Sequence, residues 1–321
     1  MKKLIEVKNL SVKFPGKNYD TYAVNDISFD IYENETVGLV GESGSGKSVT
    51  AKSILNLLKG VAKYEGEILY NGTDLLKANN KTLRSIRGNE ISMIFQDPMT
   101  SLNPLFTIKK QMERLIKRHN PKLSNDEIRK ITIKYLDMVG IPDAKNRMTS
   151  YPHEFSGGMK QRVLIAMALC LDPKLIIADE PTTALDVTIQ AQILALLNHI
   201  NKENSQSTLL ITHDLGVVAN TCDRVIVLYG GIIMEEAPIK ELFENAQNPY
   251  TQGLLASLPK LGSKERLVPI PGNPPHLIEN PLGCPFYDRC PKRGEICRNQ
   301  RPPEVKVSED HRVFCHMVEE E

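Results

Sequence analysis

Short apolar runs that end in polar residues are the clearest pattern in this chain. Three of them are residues 91–95 followed by Gln96, Leu175–Asp179 followed by Glu180, and residues 209–212 followed by His213. Runs of this length and composition indicate buried parallel strands, whose carboxyl ends meet at one edge of a sheet. The polar residues are therefore expected to converge at that edge, where ligands bind in α/β folds.

Another apolar run, Thr36–Val40, precedes a glycine-rich segment and then helical spacing over residues 49–58. Residues 41–48 have the form G-x-x-x-x-G-K-S of a phosphate-binding loop. Glycines let backbone N–H groups turn inward around phosphates, and the following helix adds the positive end of its dipole. Lys47 is expected to bind the β- and γ-phosphates, and the Ser48 hydroxyl to bind Mg²⁺. The residues predicted to hold the nucleotide here are Gly41, Ser43, Gly44, Ser45, Gly46, Lys47, Ser48 and Val49.

The polar residues at the strand ends predict ATP hydrolysis. Asp179 is expected to hold Mg²⁺ directly or through water, and Glu180 to orient or deprotonate the attacking water. Gln96 is expected to reach Mg²⁺ or that water, and His213 to hydrogen-bond the γ-phosphate. The predicted Mg²⁺ ligands are Ser48, Gln96 and Asp179.

A second anion site is predicted where Ser156, Gly157 and Gly158 precede a helical stretch over residues 159–171, because a helix N-terminus presents bare N–H groups. One chain needs only one cradle for a γ-phosphate. We therefore expect this second cradle to serve the ATP bound to a partner, so that ATP lies between two such domains. Residues 184–186 are expected to lie along the same interface.

The remaining pattern divides the chain into two predicted domains. Residues 4–95 indicate strands around one helix, with an Asn71-Gly72 hairpin turn. The pattern then becomes helical, with a capping box at Ser124 and Glu127. Near the C-terminus, regular periodicity fades into Pro, Gly and Cys. The predicted boundaries are 1–258 for a nucleotide-binding domain, about 97–155 for its helical insertion, and 259–321 for a C-terminal extension.

Several blocks of this sequence resemble the ATP-binding subunits of bacterial dipeptide and oligopeptide ABC importers. The blocks are residues 94–104, 153–162, 179–186, 211–216, 269–275 and 284–290. Phe155 and Met159 depart from the commoner signature L-S-G-G-Q, a variant usual in the peptide and nickel branch of this family. The resemblance implies an α/β fold: a RecA-like core with an antiparallel β subdomain and a helical insertion, plus a small Cys-rich C-terminal lobe.

The resemblance also implies a function and partners. The chain is expected to drive uptake of dipeptides or oligopeptides at the cytoplasmic face of the membrane, with nickel chelates or another small solute as the alternative. Expected partners are a second ABC ATPase subunit, identical or related, and two transmembrane permease subunits, with an external substrate-binding protein acting indirectly. Members of the family contact the permeases through the helical insertion.

Two rival classes fit the sequence less well. Soluble ABC ATPases of translation usually carry two nucleotide domains, and those of DNA repair contain long coiled coils, whereas this chain has one phosphate loop and no heptad array. A purely structural ATP-binding regulator would lack catalytic residues, yet Lys47, Asp179, Glu180 and His213 are all present.

Composition agrees with one large domain and a small accessory lobe. The chain has 321 residues, of which 41% are hydrophobic and 25% charged, and its net charge is +1. A charge so near neutrality argues against nucleic acid as the main partner. No apolar run approaches the ~18 residues that span a bilayer, and the N-terminus lacks the apolar core of a signal peptide.

Adenine requires an aromatic or apolar face for stacking. The resemblance places this role on Phe14, and Tyr22 is the alternative.

The six cysteines fall into two groups. Cys170 and Cys222 lie in or after apolar helical stretches and are expected to be inert. Cys284, Cys290, Cys297 and Cys315 lie in the C-terminal extension, separated by five, six and seventeen residues. Disulfides are disfavoured in a reducing cytoplasm, so a metal centre is predicted to hold this extension together.

A [4Fe–4S] cluster on these four thiolates is the favoured centre, because some members of the resembling branch carry one. Zn²⁺ and unliganded thiols are the alternatives, and the wide spacing weakens zinc. His276, His311 and His316 are nearby substitute ligands. The extension is expected to be distant from the phosphate loop.

Overall fold

The structure is a computed structural model that describes residues 2–182, 187–204, 206–258, 269–275 and 282–319. Its strands are β1 (Lys3–Phe14), β2 (Thr21–Tyr32), β3 (Thr36–Val40), β4 (Lys63–Tyr70), β5 (Thr73–Asp74), β6 (Ile91–Ile94), β7 (Leu175–Asp179), β8 (Ser207–Thr212), β9 (Arg224–Tyr229), β10 (Ile232–Pro238), β11 (Glu304–Lys306) and β12 (Arg312–Phe314). The strands predicted before the phosphate loop and at the three polar strand ends are confirmed.

The helices follow the predicted regions with one exception. They are α1 (Lys47–Ile54), α2 (Asn80–Ile86), α3 (Pro98–Ser101), α4 (Ile108–His119), α5 (Asn125–Met138), α6 (Ala144–Arg147), α7 (Gly157–Leu169), α8 (Val187–Asn204), α9 (Leu215–Thr221), α10 (Ile239–Asn245), α11 (Pro249–Ala256) and α12 (Ile296–Asn299). The exception is that residues 4–95 contain two helices, α1 and α2, where one was predicted. Among the described residues, none of these helices has the length and apolar character needed to cross a membrane.

The chain divides into two compact units. The first unit contains Met1–Ala78 and Leu210–Glu321, and the second contains Asn79–Leu209. Strand β8 begins in the second unit and ends in the first. The predicted boundary between residues 258 and 259 lies at the start of a stretch outside the described residues. The C-terminal residues fall within the first unit, so a separate Cys-rich lobe is not supported.

The first unit contains an antiparallel sheet in the order β2-β1-β4-β5 and a second group of strands in the order β11-β12-β10-β9-β3. Strand β3 runs parallel to β9, and four of its five residues are buried. The predicted hairpin joins β4 to β5, and its turn has positive φ at both Asn71 (47°) and Gly72 (75°). Turns of this kind favour Asn and Gly because both tolerate positive φ.

The second unit contains helices and the parallel pair β6 and β7. Helix α4 buries Ile108, Met112 and Ile116, spaced one turn apart on a single face. Helix α5 begins at the predicted capping box, in which the Ser124 Oγ accepts from the Glu127 N–H and the Glu127 carboxylate accepts from Ser124. Such a box satisfies N–H groups that have no partner within the helix.

Residues 282–319, called the C-terminal segment below, join the first unit through a strand that the sequence pattern did not indicate. Strand β12 pairs antiparallel with β10, and Arg312 forms an ion pair with Glu236. The buried His311 ring lies 2.9 Å from the Glu235 carboxylate. Burial lowers the pKa of His311, but hydrogen bonds to the Glu235 and Glu241 carboxylates, and the attraction of their charges, outweigh it and raise the pKa overall. Strand β12 has only three residues, which is too short a run for sequence periodicity to predict.

Candidate active site

The loop between β3 and α1 has a conformation that requires glycine at two positions. Gly41 and Gly46 have φ of 149° and 104°. A Cβ atom would approach the Leu228 carbonyl oxygen to 2.1 Å at Gly41 and the Ala23 carbonyl oxygen to 2.4 Å at Gly46. Backbone therefore surrounds the loop closely at both ends. The role of this loop as a phosphate cradle stays a prediction.

Lys47 is held within this loop. Its side chain is buried, and its Nζ donates to the carbonyl oxygens of Gly41 at 2.7 Å and Glu42 at 2.8 Å. An ammonium group retained by loop carbonyls supplies positive charge at the cradle, where phosphates are expected. The Ser45 carbonyl accepts from the Gly231 N–H at 3.1 Å, which fixes the middle of the loop to the turn after β9.

The two candidate adenine-stacking residues lie on neighbouring strands near this loop. Phe14 pairs with Thr21, and Tyr22 pairs with Lys13, where β1 meets β2. Both side chains are half-buried, and Tyr22 precedes Ala23, whose carbonyl faces Gly46. Both are therefore near the phosphate cradle, and the choice between them stays a prediction.

Glu180 and Gln96 are brought together in the second unit. They follow the parallel strands β7 and β6, in which Ile94 lies opposite Ala178. The Gln96 Nε2 donates to the Glu180 Oε2 at 2.8 Å. Glu180 has a φ of 46°, a left-handed conformation that is uncommon for a residue with a side chain and that clusters at functional sites. Asp179, which ends β7, is 2% exposed.

The roles of His213 and of the Mg²⁺ ligands stay predictions. His213 follows β8 directly and is exposed, and Asp214 caps helix α9 by accepting from the Gly216 N–H at 2.8 Å. Asp179 and Gln96 belong to the second unit, whereas Ser48 and His213 belong to the first.

The signature segment forms a helix N-terminus as predicted. Ser156 is the N-cap of α7, and its Oγ accepts from the Met159 N–H at 3.3 Å. A Cβ at Gly158 would lie 3.1 Å from Ile189, so only a small residue fits there without displacement. Ser156 and Gly157 are exposed. Bare N–H groups at such an end attract anions. Residues 184–186, predicted to share this interface, lie outside the described residues.

The four cysteines of the C-terminal segment line one small cavity of about 20 Å³, together with Phe286. The Cys284 N–H donates to the Cys297 carbonyl at 2.7 Å. Burial raises the pKa of Cys284 to about 12, and it also raises those of Cys290 and Cys315. These thiols are therefore protonated at neutral pH unless a metal replaces their protons.

The arrangement of these side chains does not support the predicted metal centre. Within the parts of the chain that the structure describes, no three His, Cys, Asp or Glu side chains are arranged to hold a metal ion. His316 lines the cavity, but His311 bonds Glu235 instead, and His276 lies outside the described residues. The prediction for Cys170 and Cys222 agrees with the structure, since burial raises both pKa values to about 12.

The expectation that the C-terminal extension is distant from the phosphate loop is wrong. Arg289 donates to both carboxylate oxygens of Glu42, the second residue of the loop, at 2.6 and 3.0 Å. Sequence reasoning missed this contact because the two residues are separated by 247 positions, and neither position signals its partner.

A glycine-rich cradle between a buried strand and a helix, with a lysine held inside it, defines a nucleotide-binding protein of the phosphate-loop class. Comparisons with known proteins narrow this class. The family model for the ABC transporter matches residues 24–183, and the model for the oligopeptide/dipeptide transporter, C-terminal region, matches residues 234–297.

Curated relatives match over nearly full length. The dipeptide transport ATP-binding protein DppD of Bacillus subtilis is 48% identical over 100% of this chain and 96% of its own. The oligopeptide transport ATP-binding protein OppD of Salmonella typhimurium is 48% identical over 94% of this chain and 90% of its own. This chain therefore belongs to the ABC transporter family of ATPases.

Solved structures support the same fold. A dimer of the ATP-binding cassette MJ0796, in a post-hydrolysis state bound to ADP and Pi, is 31% identical with a TM-score of 0.66. The match covers 73% of this chain and 98% of that one. The chain accordingly has the mixed α/β fold of an ABC nucleotide-binding domain.

Proposed function

We propose that this chain is the ATP-hydrolysing motor subunit of an importer for dipeptides or oligopeptides. The observation that carries the proposal is the combination of two matches in one chain. An ABC region covers residues 24–183, and residues 234–297 match a region named for oligopeptide and dipeptide transporters. The relatives named as dipeptide and oligopeptide transport proteins support the same solute class.

In the proposed reaction, the loop carbonyls hold Lys47 where it neutralises the β- and γ-phosphates of ATP. Ser48, Asp179 and Gln96 supply hydroxyl, carboxylate and amide oxygens suited to Mg²⁺, which when bound stabilises charge on the transferred phosphoryl group. Glu180 accepts the proton of the attacking water as the bond between the γ-phosphorus and the bridging oxygen breaks.

Two contacts within this proposed centre assist hydrolysis. The Gln96 amide holds the Glu180 carboxylate by the 2.8 Å hydrogen bond and so restrains its orientation. His213 donates to the γ-phosphate from the end of β8. The left-handed backbone at Glu180 points its side chain away from the direction that a regular strand would give it.

ATP hydrolysis requires a second subunit in this proposal. The exposed N-terminus of α7, formed by Ser156, Gly157 and Gly158, supplies N–H groups to the γ-phosphate bound by the partner's phosphate loop. Dimeric cassettes among the similar structures support this arrangement. Bound ATP favours the closed dimer, and the dimer reopens after hydrolysis. The cycle therefore shifts the population between closed and open dimers.

The dimer is tested by Ser156→Arg, which places a bulky side chain in the second cradle. ATP binding to the monomer is expected to persist, while ATP-dependent dimerisation is lost. The hydrolysis rate should fall by ~100-fold or more, the scale of a lost transition-state donor. Sedimentation with and without MgATP measures dimerisation. Ser85→Arg, at an exposed serine of α2, is the matched control. Normal ATP-dependent dimerisation of the variant, alone or with its partner subunit, would contradict the arrangement.

The proposed partners in the membrane are two permease subunits, contacted by the helical insertion at about 97–155, with an external binding protein delivering peptide. The subunit would then act peripherally, on the cytoplasmic face. Purification in mild detergent should recover two membrane proteins with this chain, and energised vesicles should accumulate labelled peptides. Glu180→Gln should abolish that uptake. Uptake of nickel chelates but not peptides would change the solute, and association with ribosomes or DNA alone would overturn the transport role.

We further propose a [4Fe–4S] cluster on Cys284, Cys290, Cys297 and Cys315. Four cysteines around one cavity match the four-thiolate ligand set of a cubane, and their wide spacing in the sequence weakens zinc. A cavity of about 20 Å³ holds little more than one water, so binding requires the cysteines to move apart. When bound, the cluster would cross-link the segment through iron–thiolate bonds.

A further inference from the structure

The second residue of the phosphate loop is held from outside the loop. Arg289 donates from both terminal nitrogens to the Glu42 carboxylate, at 2.6 and 3.0 Å, in a two-pronged ion pair. The Tyr250 hydroxyl accepts from the Glu42 N–H at 3.0 Å. Both the side chain and the backbone of Glu42 are therefore fixed by residues more than 200 positions further along the chain.

Arg289 is itself rigidly placed. Its side chain is 5% exposed, and its remaining donors are directed to the carbonyl oxygens of Pro271 and Ile270 and to the Tyr229 hydroxyl. The planar guanidinium presents its donors in a fixed fork, so several simultaneous bonds fix its position strongly. The Glu42 carboxylate is thus held by a group that cannot easily rotate.

An aromatic cluster connects this ion pair to the cysteine cavity. The rings of Tyr229, Tyr250 and Phe286 have centroids 4.4 to 5.2 Å apart. The Arg289 guanidinium carbon lies 5.6 Å from the Tyr229 ring centroid and 5.9 Å from that of Phe286, which also lines the cavity. Arg289 immediately precedes Cys290, so the ion pair and the cavity share one short stretch of chain.

Glu42 also contacts the cation of the nucleotide site. Its carbonyl oxygen accepts from the Lys47 Nζ at 2.8 Å, next to the Gly41 carbonyl at 2.7 Å. A shift of the Glu42 peptide would move one of the two loop carbonyls that hold the ammonium group. We propose that Arg289 is a positioning residue for ATP binding, which fixes Glu42 and, through its carbonyl, the place of Lys47 in the phosphate loop.

A purely structural role for Arg289 makes a different prediction. In that case Arg289 would only attach the C-terminal segment, and any lost attachment would weaken ATP binding equally. Arg301 provides the comparison, because it attaches the same segment by donating to the carbonyl oxygens of Asn25 and Asp26, at 2.7 and 2.8 Å. No hydrogen bond described for Arg301 reaches the phosphate loop.

The test is the equilibrium Kd of MgATP for the full chain, measured with a fluorescent ATP analogue and competing ATP. Arg289→Met and Glu42→Gln are each expected to raise Kd by about tenfold, because a hydrogen bond between charged groups contributes about 1.5 kcal/mol or more and 1.4 kcal/mol is tenfold. The double variant should bind MgATP no more weakly than whichever single variant has the higher Kd. Arg301→Met should change Kd by less than about twofold, within the range of surface ion pairs.

A second set of measurements separates positioning from misfolding. Arg289→Lys retains the charge but not the fork, so its Kd should lie between those of the wild type and Arg289→Met. KM for ATP should rise in these variants, while kcat stays within about threefold, because Glu180 is unchanged. Circular dichroism must show each variant folded; if Arg289→Met is unfolded, Glu42→Gln and Arg289→Lys decide. Additive effects of the two substitutions, or an equal loss in Arg301→Met, would overturn the proposal.

Discussion

The phosphate loop and the C-terminal segment are built in opposite ways, although they are in contact. In the loop, residues 41–48 form short-range bonds with one another, as when Lys47 binds the carbonyls of Gly41 and Glu42, and Arg289 adds bonds from a distant part of the chain. In the segment, regular elements are only three or four residues long, and much of its order comes from bonds to distant residues, such as Arg312 to Glu236. The loop therefore contains short-range bonds that follow from its own motif, whereas much of the segment's order depends on the rest of the chain.

The largest expected effect is the loss of MgATP binding when the phosphate loop is changed and the C-terminal segment is left intact. Lys47→Ala removes the cation held in the cradle and should weaken MgATP binding by about 100-fold, since hydrogen bonds to charged groups contribute up to about 3 kcal/mol. The iron content of the C-terminal segment should not change. Isothermal titration and iron analysis of the same sample measure both. Lys52→Ala, in the same helix, is the matched control and should bind normally.

The next largest effect is the loss of the proposed cluster from the C-terminal segment. Protein purified without oxygen should contain about four iron and four sulfide per chain, and Cys290→Ser should lose them. Residues of the segment should then become sensitive to protease, because metal binding and local order are linked where little apolar area is buried. ATP binding should persist, weakened by no more than in Arg289→Met.

The iron result has two contrary outcomes. One zinc and no iron in anaerobic protein would replace the cluster but keep a metal that orders the segment. Metal-free protein with an ordered segment would contradict any metal, and the aromatic cluster and ion pairs would then suffice to hold it.

The smallest expected effect concerns the residue that stacks on adenine near the phosphate loop. Phe14→Ala should raise the Kd of MgATP by about three- to tenfold if its ring stacks on adenine, as aromatic pairs contribute about 0.5–1.5 kcal/mol. Tyr22→Ala should then have little effect. A competition titration that compares ATP with a triphosphate lacking the base isolates stacking, because only the ATP affinity should fall. The reverse result would assign adenine to Tyr22.

The same contrast explains how much was predictable from sequence. Strand ends, the phosphate loop, the hairpin at Asn71 and the capping box at Ser124 all depend on neighbours within a few positions, and the sequence pattern predicted each of them. The convergence of Gln96 and Glu180 followed from the parallel strands that they end, although the hydrogen bond between them was not predicted. Strand β12 and the Arg289–Glu42 pair did not follow, because each joins residues far apart in the chain.

The central claim is that the chain hydrolyses ATP with Glu180 as the group that activates water, and single-turnover hydrolysis tests it most directly. Radiolabelled ATP is mixed with excess protein, together with its partner subunit where the dimer requires one, and phosphate release is followed for the wild type and Glu180→Gln. In Glu180→Gln, MgATP affinity should be unchanged and hydrolysis slower by about 100-fold or more, the scale of a lost general base. Equal hydrolysis rates in the wild type and Glu180→Gln would show that Glu180 does not activate the water.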